Sequence, residues 1–143
     1  MISSRLPGRD SLLFVYGTLR PFVAIPMARW LATAAHYVGP ARVRGRLYDL
    51  GRYPGMHAAR GSREWVVGDV YRVPNPRVLR VLDLYEAGSR VRPQFVRTRC
   101  VVRTRRAGGR AAWVYLYRRG ACSRPRIVSG DYRRHLIKLH AKT

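Results

Sequence analysis

Glu86 is the residue of this sequence that is best placed to transfer protons. Only seven of the 143 residues are Asp or Glu, and a lone carboxylate among many arginines is most often a salt-bridge partner. Glu86, however, ends a short amphipathic segment, directly after the apolar stretch Leu82 to Tyr85. If its side chain points into a cleft lined by aromatic rings, burial would raise its pKa towards the range that suits a general acid or base.

The segment Tyr16-Gly17-Thr18-Leu19-Arg20 could hold a negatively charged group. It lies where an apolar strand ends in glycine and the chain turns towards a helix. Consecutive backbone N–H groups at such a turn can bind a carboxylate or an oxyanion, although an ordinary strand-to-helix turn is the alternative. Arg20, beside the turn, would help to attract an anionic substrate.

Other catalytic and metal-binding patterns are missing from the sequence. The four histidines lack metal-ligand spacing, and His135 and His140 lie too far apart to share one helical face, so we expect no metal site. Cys100 and Cys122 have no C-x-x-C spacing, which favours a reduced, cytoplasmic protein. The sequence also has no G-x-S-x-G, P-loop or G-x-G-x-x-G motif.

The net charge of +22 at first suggests a nucleic-acid partner. Lys and Arg number 29 against seven Asp and Glu, and only Lys138 and Lys142 are lysines. A nucleic-acid binder gathers such charge into a stripe or tail, whereas these arginines run through the whole chain. We therefore expect compositional bias and no specific nucleic-acid partner. Because no apolar run is long enough for a span, we also expect no membrane partner.

The elements that must position Glu86 and the turn fit one domain. A chain of 143 residues has room for a single core, which we assign to residues 11–143 after a flexible leader at 1–10. The continuous apolar run from Leu12 to Tyr16 predicts a central strand buried on both faces. Helical spacing predicts a helix over Met27 to Ala35, which we expect Gly39-Pro40 to end.

Extended segments and turns follow this helix. Alternation predicts a strand over Ala41 to Leu50, and Tyr53-Pro54-Gly55-Met56 has the composition of a type II turn. Trp65 to Val73 reads as a further apolar strand. A helical face over Arg77 to Glu86 then predicts the short helix that carries the candidate acid or base.

The last third of the chain predicts a hairpin and a final helix. Phe95 to Arg105 alternates, and Ala107-Gly108-Gly109 provides a turn into a strand over Ala111 to Tyr117, whose Trp113, Tyr115 and Tyr117 share one face. Ser129-Gly130-Asp131-Tyr132 could cap the last helix. The order predicts an α+β fold: a small mixed β-barrel-like sheet with flanking short helices.

Together these segments resemble the gamma-glutamylcyclotransferase-like family over roughly residues 11 to 135. The motifs that carry the resemblance are Val15-Tyr16-Gly17-Thr18-Leu19-Arg20, Gly45-Arg46-Leu47-Tyr48, Tyr53-Pro54-Gly55, Gly68-Asp69-Val70-Tyr71 and Leu82-Asp83-Leu84-Tyr85-Glu86. The resemblance implies that Glu86 is the general acid and base. It also implies that the backbone of Tyr16, Gly17, Thr18 and Leu19 holds the gamma-glutamyl group, with Tyr132 and Tyr115 as further substrate contacts.

The reaction that the resemblance implies is an intramolecular aminolysis without metal or cofactor. The α-amine of a small-molecule gamma-glutamyl substrate attacks its own γ-carbonyl and releases 5-oxoproline and a free amine. The chain departs from many relatives where Pro21-Phe22-Val23-Ala24 follows the turn and where Ala87 replaces glycine after Glu86. A non-catalytic small-molecule or polyanion binding module on the same fold is the alternative, and the sequence indicates neither the leaving amine nor the oligomeric state.

Overall fold

The described part of the chain forms three helices and six strands. The structure is a computed structural model that describes residues 11–87, 94–105, 108–121 and 123–141. The predicted flexible leader at 1–10 lies outside the described residues. The elements are β1 (Ser11–Val15), α1 (Pro26–Ala34), β2 (His36–Asp49), β3 (Pro54–Ala58), β4 (Trp65–Val73), α2 (Pro76–Ala87), β5 (Phe95–Thr104), β6 (Gly108–Tyr117) and α3 (Tyr132–Ala141).

Five of the strands close into a barrel-like sheet. The strand order is β3-β2-β4-β1-β6-β5, and an additional pairing joins β2 to β5. In the described residues, this closure consists of the pairs Ala41↔Thr104 and Arg42↔Arg103. β1 is antiparallel to β4 and parallel to β6, so the sheet is mixed. The predicted α+β fold with a small mixed barrel-like sheet and short helices is confirmed.

β1 lies between β4 and β6 in this sheet, and all five of its residues are buried. Because side chains alternate across a strand, β1 contributes to two apolar clusters. Leu13 and Val15 pack in a cluster with residues of α1 and α2, whereas Leu12 and Phe14 pack in a second cluster that Tyr132 at the start of α3 also joins. The prediction of a strand buried on both faces is confirmed.

The structure corrects the predicted end of the first helix. α1 ends at Ala34, and β2 already begins at His36, so Gly39-Pro40 lies inside a strand instead of ending a helix. Gly39 pairs with Val70 just after a register shift at Tyr37, which shows that the residue serves a bulge. Sheet pairing with β4 therefore extends β2 further towards the N-terminus than alternation predicts.

The predicted type II turn over Tyr53 to Met56 is wrong. Pro54 begins β3, and Gly55 pairs with Tyr48 in the sheet. The reversal lies earlier, at Gly51, whose φ of 108° is in the left-handed region that favours glycine. The Asp49 carboxylate accepts a hydrogen bond of 2.8 Å from the Gly51 amide and fixes this tighter reversal.

The later elements lie close to their predicted positions, but the predicted turn at Ala107-Gly108-Gly109 is not where the sequence placed it. Gly108 and Gly109 already belong to β6, and Ala107 lies outside the described residues. α2 carries Glu86 one residue before its end, and β5 pairs with β6 from Phe95↔Tyr117 to Thr104↔Gly108. Asp131 caps α3, because its carboxylate accepts hydrogen bonds from the amides of Arg133 and Arg134 at 3.0 and 3.4 Å. None of the helices in the described segments has the length and apolarity that crossing a membrane requires.

Candidate functional site

A cavity of about 370 Å³ opens where β1 ends, beside the last turn of α2. Its volume is in the range of pockets that bind small molecules. The lining comes from the ends of several elements and from the segment after β1. Six of the lining residues are aromatic: Phe14, Tyr16, Tyr53, Tyr85, Phe95 and Tyr115.

Glu86 is the carboxylate of this cavity. Burial raises the pKa of its side chain from 4.5 to about 7. Among the described residues no basic group forms an ion pair with it, so nothing opposes this rise. A carboxyl group with a pKa near 7 can both accept and donate a proton at neutral pH.

The segment after β1 brings backbone donors to the same cavity. The Arg20 amide donates a hydrogen bond of 3.1 Å to the Gly17 carbonyl and closes a turn. Thr18 and Leu19 are the central residues of that turn, and their amides make no hydrogen bond to the described part of the chain. The turn can therefore offer two N–H groups to an anionic or polarised oxygen.

Gly17 permits a close approach to β3 at the cavity wall. A Cβ atom at Gly17 would lie 2.6 Å from Pro54 Cγ and 2.9 Å from Pro54 Cδ. Such distances are shorter than any real contact of a Cβ atom, so only glycine fits without displacing the turn or Pro54. The packing of Gly17 on Pro54 thus fixes where the amides of Thr18 and Leu19 lie.

The Arg20 side chain does not line this cavity, contrary to the expectation that it attracts an anionic substrate. Its side chain is buried and donates to Asp69 at 2.8 Å and to Asp131 at 3.0 Å. It is the turn's anchor to β4 and to the start of α3. Because both carboxylates already neutralise it, Arg20 is not available to attract an anionic substrate.

Two tyrosine hydroxyls of the cavity are held by the protein itself. Tyr16 donates to the Tyr115 carbonyl at 2.7 Å and accepts from the Met56 amide at 3.2 Å. Tyr115 donates to Asp83 at 2.6 Å, and Arg97 pairs with the same carboxylate. Burial, together with the Glu86 charge, raises the pKa of Tyr16, and burial and Asp83 raise that of Tyr115. Both rings therefore shape the cavity and remain protonated.

The family model for "Gamma-glutamyl cyclotransferase, AIG2-like" matches residues 13–134 of this chain. The chain belongs to the AIG2-like gamma-glutamyl cyclotransferase family. The match covers β1 to the start of α3, which includes Glu86 and the turn. It confirms the resemblance found in the sequence and implies a small-molecule substrate.

Solved structures share the fold of this AIG2-like member. YkqA from Bacillus subtilis aligns with a TM-score of 0.73 and 24% identity, over 92% of this chain and 43% of YkqA. An AIG2-like protein from Mus musculus aligns with a TM-score of 0.66 and 22% identity, over 80% of this chain and 82% of that protein. The protein ytfP from Escherichia coli aligns at 0.58 and 28% identity, over 85% and 95%.

The chain thus spans less than half the length of YkqA. No curated protein matches the sequence at a significant level. At these identities the structural likeness concerns the fold alone. The chemistry of this chain depends on the residues that line its cavity.

The structure brings together six of the seven predicted site residues. Glu86, Tyr16, Gly17, Thr18, Leu19 and Tyr115 all line the cavity. Tyr132 does not, because it is buried in the second apolar cluster and its ring stacks on His135 at 6.4 Å between centroids. The sequence-based placement of Tyr132 at the substrate is therefore not supported by its position.

A hydrogen-bonded pair is among the lining residues that the sequence did not predict as site residues. Tyr53 donates a hydrogen bond of 2.6 Å to Gln94 Oε1, and both side chains line the cavity. Tyr53 lies in a motif that carries the family resemblance, so its position could have been suspected. Gln94 follows no pattern that would single it out. Within the described segments, no group of three or more His, Cys, Asp or Glu side chains could hold a metal ion.

Proposed function

We propose that this protein is a gamma-glutamyl cyclotransferase that releases 5-oxoproline and a free amine from a small gamma-glutamyl compound. The family match supports cyclotransferase chemistry in general. The observation that carries the specific proposal is the meeting of Glu86 with the free amides of Thr18 and Leu19 in one aromatic cavity of about 370 Å³.

Glu86 is proposed to carry the protons that the reaction must move. The nitrogen of the substrate's α-ammonium group has to lose one proton before it can attack the γ-carbonyl carbon, and it loses a second proton as it becomes the ring amide. The carbon–nitrogen bond to the leaving amine then breaks, and that amine takes up both protons and departs as an ammonium ion. With its pKa raised to about 7, one carboxylate between the two nitrogens can take protons from the first nitrogen and deliver them to the other.

The turn is proposed to stabilise the charge that develops on the γ-carbonyl oxygen. As the α-nitrogen bonds to the carbon, electron density moves to this oxygen. Fixed N–H donors such as those of Thr18 and Leu19 stabilise it without reorganising. The ring closes within one molecule, so a cavity that folds the substrate back on itself supplies the proximity that the reaction needs, and no cofactor takes part.

The test is to incubate the protein with a panel of gamma-glutamyl amines and amino acids and to measure 5-oxoproline. We expect product from at least one member of the panel. Calorimetric titration with the same panel separates the alternatives. Binding without any product would overturn the enzyme proposal and leave a non-catalytic binding module. If the panel shows no binding and no product, the cavity is not a gamma-glutamyl site.

The setting of the proposed reaction follows from the same features. We propose that the protein acts on a small molecule in the cytoplasm and has no specific nucleic-acid partner. In that compartment Cys100, which is a free thiol, would stay reduced.

The mechanism predicts that the reaction slows at acidic pH. Only the ionised form of Glu86 can accept the α-ammonium proton, and burial places the pKa at about 7. We expect kcat/KM for the best substrate to fall about tenfold per pH unit below that value. Steady-state rates between pH 5 and pH 8 measure it. A profile that stays flat down to an ordinary carboxyl pKa would contradict the assignment.

A Gly17→Ala substitution is expected to lower kcat/KM about tenfold, since a displacement of the turn amides by a fraction of an ångström weakens their alignment with the substrate. The cause is the contact of the new Cβ atom with Pro54. Gly61→Ala is the matched control, because a Cβ atom there would meet nothing within 4 Å. Equal rates for the two variants would show that the turn does not position the substrate.

A further inference from the structure

A second cavity of about 550 Å³ lies on another part of the barrel, between β2 and β5. Within the described segments these strands pair only at Ala41↔Thr104 and Arg42↔Arg103, so their remaining residues leave a gap in the sheet. Val43 and Arg44 line the gap from one side, and Thr98 to Val101 line it from the other. No residue is shared with the lining of the first cavity.

The rim of the second cavity is positively charged and is not neutralised. Among the described residues, no carboxylate lines it and four arginines do: Arg44, Arg60, Arg99 and Arg103. Five of the six carboxylates in the described residues pair with basic groups elsewhere, and the sixth, Glu86, lies in the first cavity. Uncompensated guanidinium groups around a concave surface favour an anion.

Two of the four guanidinium groups are free to bind a ligand. Arg44 stacks on Trp65 at 4.2 Å and donates to the Ser62 carbonyl at 2.7 Å, and Arg99 lies 4.8 Å from the Trp113 ring. Arg60 and Arg103 are exposed, and their guanidinium groups have no hydrogen-bond or ion-pair partner within the described part of the chain. A ligand anion would supply the partner that the protein itself does not.

Apart from Thr98 and Cys100, the rest of the lining is apolar. Val43 is buried, and Ala58, Ala111 and Leu116 add further carbon surface. The Cys100 thiol also lines the cavity, where burial raises its pKa and the nearby Arg60 charge opposes that rise. A small inorganic anion would leave this apolar surface in contact with water, whereas a ligand with a carbon body would cover it.

We propose that the second cavity binds an organic anion, with a phosphate or carboxylate group at Arg60 and Arg103 and an apolar body over Val43 and Leu116. The volume suits a compound of metabolite size. Aryl phosphates and acyl carboxylates share this chemistry. The site is independent of the proposed cyclotransferase reaction, because it uses none of its residues.

The Cys100 thiol provides the readout. In a Cys122→Ser background it is the only thiol of the chain, and its alkylation rate at physiological salt reports whether the cavity is filled. We expect 1-naphthyl phosphate or octanoate to slow alkylation at least tenfold at saturation. The neutral analogues 1-naphthol and octanol, and inorganic phosphate, should protect far less. Whichever anion protects identifies the body as aromatic or acyl.

Matched variants test the arginines. Arg60→Gln and Arg103→Gln should each raise the concentration needed for protection about tenfold, because a charge-assisted hydrogen bond is lost. Arg80→Gln, which replaces an exposed arginine of α2, and Glu86→Gln should leave it unchanged. Protection is compared as the ratio with and without ligand, since Arg60 itself influences the thiol.

Each other outcome overturns the proposal. Protection by the neutral analogues would show an apolar site without charge recognition, and equal protection by inorganic phosphate would show a simple anion site. Protection by single-stranded RNA but by neither small anion would indicate a nucleic-acid surface. If no probe protects Cys100, the site does not exist. The same conclusion follows if the Arg60 and Arg103 variants need no more ligand for protection than the unchanged protein.

Discussion

Glu86→Gln is expected to leave the fold intact and to lower kcat by a factor of about 10²–10⁴, the usual effect of removing a positioned general acid or base. Glutamine has nearly the size and shape of glutamate, but it cannot accept the α-ammonium proton or give one to the leaving amine. 5-oxoproline formation at saturating substrate measures the loss, and KM should change much less. Activity equal to that of the unchanged protein would remove Glu86 from the mechanism.

The matched control for this variant is Glu64→Gln. Glu64 is an exposed carboxylate that pairs with Arg46 and Arg126, away from the cavity, so its replacement should leave kcat unchanged. A loss of rate in both variants would indicate a general effect of charge or stability. A loss in the Glu86 variant alone would locate the proton transfer.

A stability measurement adds a readout that does not depend on any substrate. The pKa of Glu86 is about 7 in the folded protein against an ordinary 4.5, so the folded state binds this proton more tightly than the unfolded state. Its contribution to the free energy of unfolding is present below the lower value and is lost as the pH rises through the higher one. Glu86→Gln should remove this loss, which urea titrations at pH 5 and pH 8 would show.

Glu86 forms no ion pair in the described residues, although the chain has a net charge of +22. In the described residues, each of the other carboxylates lies within 3.0 Å of a basic partner or forms the close pair of Glu64 with Arg126. A neighbouring arginine would have lowered the pKa of Glu86. In an arginine-rich chain, a carboxylate whose pKa rises has to be enclosed by aromatic and apolar groups, and this is the environment that the cavity provides.

The sequence could predict the residues whose neighbours are close along the chain. Glu86 was found because α2 has one apolar face and Glu86 stands at its end, and the turn was found because β1 is apolar and stops at Gly17. Both depend on local periodicity and composition. The alternation of β6 likewise predicted that Trp113, Tyr115 and Tyr117 share one face, and all three pack in the same apolar cluster.

The errors concern contacts between residues that are distant in the sequence. Arg20 was expected to face the substrate, but its partners Asp69 and Asp131 lie 49 and 111 positions further along the chain. Tyr132 was expected at the cavity, but its neighbours are set by how α3 packs on the barrel. The pairing of Gly55 with Tyr48 turned an apparent turn into β3. No local pattern contains this information, because it arises only when the barrel closes.

Arg20→Ala is expected to destabilise the protein by about 3–5 kcal/mol, as is typical when one partner of a buried ion pair is removed. The side chains of Arg20, Asp69 and Asp131 are only 9, 10 and 19% exposed. Without the guanidinium group, the two carboxylates stay buried with their charge uncompensated, although Tyr37 still donates to Asp69 at 2.6 Å. The free energy of unfolding in urea measures the loss.

Arg46→Ala is the control that separates burial from charge. Its pair with Glu64 is 50 and 37% exposed, so the same substitution there should cost less than about 1 kcal/mol. The comparison also distinguishes the two roles considered for Arg20. A substrate-binding arginine would raise KM with little change in unfolding, whereas an anchor of the turn lowers stability first. Since Arg20 holds the turn that carries the amides of Thr18 and Leu19, a stable Arg20→Ala protein with a raised KM would contradict the ion-pair role and return Arg20 to the substrate.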